Sequence, residues 1–532
     1  MKKRTKVLMN VSVLFVSTMS LLFAAGNTES MDMHGEQSET QKKGEFTISQ
    51  EPITLQAFIH YGDVFVMDND KWTITKEAGK LTGVNLEGIA SQLTTSSTEA
   101  YNMMIASHDI PDIVGGKNND MMKYGVEGAF LPLNDLIDQY APNFKAYLND
   151  NPDVRSAITA SDGNIYFIPM VYEPGASQAW FIRKDWLDKF NLPVPTTVEE
   201  LHQTLLTFIN KDANGNGQKD EIGYFTRGSH DEFLNPLLNL QGVNNYWHTD
   251  AEGKVAYGAY TQKYKTAMKE IAAWYSEGLI DPEIFTRGNN AREELFAANN
   301  GALIHDWIPS TSDYNTKMAE VVPHFELVGM LPPSDVDGNR WEACSRTKIK
   351  GLGWGIGYKT KHAKEAIQYM DFWWTDFGRR LMTYGIEGDT YTMVNGEPVY
   401  TDKIMKANCS ITDAMRKLGG QEEAMGYRHD ASYERFAMSE AGEKATIAYN
   451  ESGMVNAYKP VVGSLGFTQQ ELKTINEKFP TCSTYINETM QKWTFDGTRI
   501  DKEFDQYMTN LKNMGMDEVV SAYQSAWDRA HK

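Results

Sequence analysis

Cysteine is scarce. Only Cys344, Cys409 and Cys482 occur in 532 residues. Their spacing fits no cysteine-based metal site and excludes a small disulfide-stapled scaffold. At most one disulfide can form, with one thiol left over, and the pairing stays open. Positive charge is also short. Lys and Arg number 51 against 71 Asp and Glu, for a net charge of −20. That argues against nucleic acid, which needs a basic face, and against an anionic membrane surface. It does not exclude an anionic ligand, because a few Arg or Lys can dominate one cleft. Past the first 25 residues no run is long and apolar enough to span a bilayer. The sequence contains no H-E-x-x-H and no G-x-S-x-G. Ser345–Lys348 fits S-x-x-K without its companion motifs. The glycines at 351, 353, 355 and 357 miss the dinucleotide fingerprint, which needs glycine where Ile356 stands.

What is present begins with an export signal. Lys2, Lys3, Arg4 and Lys6 precede an apolar run from Val7 to Ala25, and Ala24-Ala25-Gly26 offers small residues for cleavage. Residues 1–26 read as a signal peptide. No cysteine lies near the cleavage point, so the expected mature protein is soluble and periplasmic. Residues 27–50 are polar and of low complexity, and read as a disordered tether. The rest is too long for one core, so two lobes are expected.

One loop carries metal chemistry. Asp212, Asn214 and Asn216 alternate, Gly217 permits a sharp turn, and the Gln218 carbonyl follows. Calcium takes six to eight oxygens at about 2.3–2.6 Å, and alternate side chains of a tight loop converge on one point. The twelfth position is Gly223, not Glu, so Asp220 and Glu221 would have to close the shell. The expected cofactor is one structural calcium ion.

Strands and helices alternate along the chain. Ile53–His60 alternates as a strand does. A helix over Thr73–Gly83, a strand over 84–89, a helix over 97–106 and a short strand at Asp112–Val114 follow. Such β-α units imply an α/β fold with mostly parallel sheets flanked by helices. Ligands then sit beyond the carboxyl ends of strands, near His60, Tyr61, Gly115 and Gly116. Thr197–Glu200 is a capping box that opens a helix over 198–210. Asn290 caps a helix that Gly301 ends. A strand at Ala302–Trp307 follows, then a glycine-rich strand at 351–358 suited to close backbone approach. A helix over 363–383 carries a core stripe of Ile367, Met370, Trp374, Phe377 and Leu381. From Asp402 the chain reads mostly helical.

The segments Glu77–Val84, Tyr101–Ile113, Asp162–Pro169, Ile182–Leu187, the calcium loop and Tyr384–Gly388 together carry a resemblance. The chain resembles the family 1 extracellular solute-binding proteins of bacterial ABC importers. Within them it is similar to the oligosaccharide-binding branch that includes alginate-binding proteins. The resemblance implies a two-lobed periplasmic-binding-protein fold, type II-like, with a hinge and a ligand cleft between lobes. Lobe I is expected at 51–176 and 350–400, lobe II at 177–349 and 401–532. It implies a carbohydrate ligand, ABC permease subunits as partners, a monomer, and no bond-making chemistry. Carried over residue by residue, the metal positions are Asp212, Asn214, Asn216, Gln218, Asp220 and Glu221.

Sugars present apolar faces and rings of hydroxyls, so Trp and Tyr beside polar groups are the expected lining. The candidates that leave strands or cross between lobes are His60, Tyr61, Asp120, Tyr172, Glu173, Trp180, Asp306, Trp307, Trp354 and Tyr391. Tyr172 and Trp307 stand out, because each directly follows a strand. His60 is also a candidate for a satisfied strand-end histidine. The residues alone leave open a secreted glycosidase or lyase, whose carboxylate pair is a spatial property. They also leave open a sugar-binding adhesin or sensor.

Overall fold

The β-branched and aliphatic runs of this chain form two main sheets, the first with one apolar core and the second with one on each face. The computed structural model describes residues 45–530, apart from 64, 174, 228–233, 244, 251, 344, 345, 347 and 454–464. The signal peptide, most of the tether and Cys344 lie outside the described residues. Cys409 and Cys482 are free thiols.

The first sheet has five strands, ordered Val84–Gly88, Ile53–Phe58, Ile113–Lys117, Ile349–Ile356, Ile168–Val171. The first three are mutually parallel, as the β-α pattern requires. Ile349–Ile356 is antiparallel to both of its neighbours. The second sheet is ordered Leu327–Met330, Gln178–Arg183, Gly301–Trp307, Ile222–Tyr224. Only its last pairing is parallel, and the other two are antiparallel. The expectation of mostly parallel sheets therefore fails in the second lobe and holds for half the pairings of the first. The physical reason in the first sheet is the crossover. A strand returning from the other lobe arrives from the opposite end and inserts against the run of its neighbours.

The glycine-rich strand earns its composition by close approach. A Cβ on Gly353 would lie 2.5 Å from the Ile168 carbonyl oxygen, and one on Gly355 would lie 2.6 Å from that of Tyr166. Trp354 points to the other face and is fully buried.

The chain crosses between the cores three times. It leaves the first after Val171, returns between Met330 and Ile349, and leaves again after the 427–436 segment. Ile404, Met415, Met425 and Tyr427 pack in the first core. The last crossing therefore falls later than residue 401, where the sequence pattern placed it. The tether is also shorter than expected. Phe46 stacks on Phe377 at 5.4 Å, and the Ile48 N–H donates to the Thr82 carbonyl at 2.8 Å.

Local signals fare unevenly. The Thr197/Glu200 capping box is present on Val198–Asn210. A second one, Thr468 with Glu471, opens the 27-residue helix Gln469–Phe495. Asn290 stands at a helix start, but its side chain makes no capping bond. The helix expected over 363–383 is two, Ala363–Phe372 and Asp376–Tyr384. Thr375 breaks it by accepting a hydrogen bond from the Gly378 N–H, an N-cap geometry that restarts the helix. The C-terminal helices Gln469–Phe495, Ile500–Asn513 and Met516–Ala530 pack on the second core. No described helix is long and apolar enough to cross a membrane.

Candidate functional site

The three crossings run side by side. The Val171 N–H donates to the Tyr427 carbonyl at 2.9 Å, and the Tyr172 N–H donates to that of Lys348 at 2.8 Å. Strands ending at this belt deliver their next residues into a cavity of about 320 Å³ between the lobes. Met170, Tyr172, Lys350, Arg416, Glu423 and His429 line it from the first lobe, and Trp307, Pro309 and Ser310 from the second. That volume is at the lower end of ligand pockets, which run about 300–1,000 Å³.

Trp307 ends its strand and is 42% exposed, while most tryptophans here are buried. Arg346 lies over the Tyr172 ring at 5.4 Å and near the Trp307 ring at 5.8 Å, so one guanidinium links an aromatic of each lobe. Arg346 is itself paired with Glu434. On its other side Trp307 lines a second, smaller cavity of about 120 Å³, with Gln178, Thr226, Arg227, Asn239 and Asp306. Asp306 accepts from Arg227 at 2.7 and 3.1 Å and lies 3.3 Å from Arg292. His305 faces the Glu342 carboxylate at 3.0 Å, a buried pair that ties the second lobe to the second crossing.

Of the candidates read from sequence, Tyr172, Asp306 and Trp307 come together here. Glu173 sits at the rim, exposed, paired with Arg428 and Arg379. The others are displaced. Trp180 is buried against Tyr224 and His305. Trp354 is buried beside Tyr369, and Tyr391 is buried in the hairpin Tyr391–Val394 with Glu397–Tyr400. All three fill core space, and Trp180 does so on the same sheet face as His305 and Trp307 but in mid-strand. Gly115 and Gly116 pack against Ala424 and Tyr101. Tyr61 lies one layer beneath the cavity, its hydroxyl accepting from the Glu423 N–H at 3.3 Å. His60 is buried, and neither ring nitrogen has a partner among the described residues. Burial pushes its pKa down. Asp120 is half-buried on the helix Asn118–Val126, where burial pushes its carboxyl up.

Sequence reasoning missed Arg346, Lys350, Arg416, Glu423 and His429. One signal was available: Arg346, Lys348 and Lys350 alternate just before the glycine-rich strand, in a chain short of basic residues.

The metal loop folds as its spacing requires. Asn214 and Asn216 both donate to Asp220, at 2.8 and 3.0 Å. Asp212 Oδ2 accepts from the Gly217 N–H at 3.1 Å. Asp212 Oδ1 and Glu221 Oε2 are buried without a hydrogen-bond partner among the described residues. Buried carboxylate oxygens are costly when unmatched, so this oxygen-rich donor set fits a hard cation. No described group of three or more His, Cys, Asp and Glu side chains is gathered tightly enough to hold a metal by itself. The loop would depend on its amides and a carbonyl as well.

A sequence profile described as bacterial extracellular solute-binding protein matches residues 73–379. The chain belongs to that family. The solute-binding chain is 30% identical to the fructooligosaccharide ABC transporter substrate-binding protein FusA of Streptococcus pneumoniae, across 97% of each. It is 22% identical to the polygalacturonan/rhamnogalacturonan-binding protein YtcQ of Bacillus subtilis, across 86% of this chain and 88% of that one. Among solved structures, the alginate-binding protein AlgQ2 superposes with a TM-score of 0.78 at 36% identity, covering 91% of this chain and 99% of that one. The two-lobed fold is that of these solute-binding proteins.

Proposed function

We propose that this chain is the substrate-binding component of an ABC transporter, which captures an oligosaccharide between its lobes and delivers it unchanged to a membrane permease. One observation carries the reading. An exposed Trp307 from one lobe and Tyr172 from the other flank the cavity between the lobes. Aromatic faces match the C–H faces of sugars, and the surrounding hydroxyl, amide and charged groups match their hydroxyls. The relatives named for fructooligosaccharide, alginate and polygalacturonan support the same class.

The loop at 212–221 holds a structural calcium ion in this reading. Asp212, Asn214, Asn216, the Gln218 carbonyl, Asp220 and Glu221 would supply its oxygens. Solved relatives include the alginate-binding protein without calcium ion and an EF-hand mutant of FusA. The charged leader and apolar run support an exported protein, which in this reading works as a monomer in the periplasm.

Calorimetric titration with neutral and acidic oligosaccharides tests capture, followed by chromatography of the recovered sugar. One-to-one binding with the sugar intact is expected. Cleavage products would favour a glycosidase or lyase instead.

A further inference from the structure

Resting on the capture reading, we infer that the captured oligosaccharide carries carboxylate groups, and that the cluster of Arg416, Glu423 and Lys350 in the first lobe reads one of them. The chain as a whole is strongly acidic, at −20. Its cleft is not. Glu423 is shared by two cations, Arg416 at 2.6 Å and Lys350 at 3.3 Å. Across Trp307, Asp306 is likewise shared by Arg227 and Arg292. The first cluster has one positive charge more than its carboxylate can offset, whereas Arg292 of the second also feels Glu293. Arg346 with Glu434 is balanced one to one. The rim group of Arg379, Arg428, Glu173 and Asp430 is balanced as well.

A further carboxyl beneath the floor could cancel the excess at Glu423. Glu422 is fully buried, and neither oxygen has a hydrogen-bond partner among the described residues. Burial pushes its carboxyl up to about 8, with Arg416 and Tyr61 pulling down by less. It is protonated at neutral pH and leaves the excess in place. His429 lies beside the same cations. It lines the cavity, is buried, and has a bare Nδ1. Burial lowers its pKa, and Arg346, Arg379, Arg416 and Lys350 all lower it further.

An excess cation in a partly desolvated cleft is unfavourable until an anion meets it. A sugar carboxylate meets it with the planar geometry that guanidinium groups match best. A neutral sugar cannot.

The test is calorimetric titration of the full mature chain with short oligogalacturonates and alginate oligomers. Each is set against its carboxyl-reduced, neutral counterpart, with a fructooligosaccharide as a third arm. Uronates should bind roughly tenfold or more tightly than their reduced forms, and that preference should shrink in high salt. Lys350→Met should remove most of the preference without lowering the melting temperature, since Lys350 is part-exposed. Equal binding of reduced sugars or fructooligosaccharide would leave capture standing and overturn the inference. So would a uronate preference that Lys350→Met leaves intact, because the reading site would then be elsewhere. Binding of none of these sugars would remove both readings.

Discussion

The His429 N–H donates to the Val171 carbonyl at 2.8 Å, which ties the last crossing segment to the first. Val171 in turn donates to Tyr427, so the two segments are laced from both sides. A belt held by backbone bonds keeps its length while the lobes turn about it. Hinge closure of this kind is driven by ligand contacts to both lobes. Saturating oligosaccharide should therefore reduce the radius of gyration in solution scattering. Tight binding with no compaction would instead describe a rigid, lectin-like receptor.

Removing divalent metal should destabilise the protein. A ligand that binds only the folded state adds RT ln(1 + [L]/Kd), about 2.7 kcal/mol at a hundredfold excess over Kd. Chelator should lower the melting temperature of the wild type. Asp212→Ala should melt at one temperature with or without chelator, because the bare Asp212 Oδ1 is part of the donor set. An unchanged wild-type melting curve, together with no calcium by elemental analysis, would reduce the loop to a polar turn.

The alternating strand pattern, the Thr197 cap and the glycine run were legible because each is local. A period of two, a cap or a missing Cβ leaves its mark within a few residues. The antiparallel insertion of Ile349–Ile356 was not, since strand order depends on where the chain goes after crossing. At the site, Trp307 and Tyr172 were readable as residues that follow strands directly. Trp180 and Trp354 looked equivalent in sequence, but both sit inside strands and pack in the cores, whereas Trp307 ends its strand. Arg416, Glu423 and His429 come from irregular segments with no period, and the fold alone brings them beside Lys350.

Glu422 gives a pH dependence with a definite sign. Its folded pKa lies near 8, above the ordinary 4.5, because burial disfavours the charge. Between those values the folded state holds a proton that the unfolded state has released. Stability from this group is thus fully present below about pH 4.5 and is lost as pH rises through 8. Arg416, Tyr61 and Glu423 face it and do not reverse the shift. Glu422→Gln cannot ionise, so its melting temperature should gain on the wild type progressively from pH 5 to pH 8. A constant gap across that range would mean that Glu422 is not held neutral in the folded protein.

Two tryptophans, both candidates by sequence, should separate cleanly when each is cut to alanine. Trp180 is 1% exposed and packs between Tyr224 and His305. Trp180→Ala opens a cavity and should cost about 3–5 kcal/mol of stability. Trp307 is 42% exposed and holds no core together, so Trp307→Ala should change stability by no more than about 0.5 kcal/mol. Its effect belongs to affinity. Burying one stacking aromatic against a sugar ring is worth about 1–3 kcal/mol, which is roughly tenfold to hundredfold in Kd. Arg346 then loses one of the two rings it lies between, and the second lobe loses its aromatic side of the cleft. Thermal melts and calorimetric titrations on the same two variants decide the matter. If Trp307→Ala binds oligosaccharide as tightly as the wild type, the sugar does not stack on Trp307 and the cleft assignment is wrong. If it binds weakly but also melts far below the wild type, Trp307 is a packing residue after all.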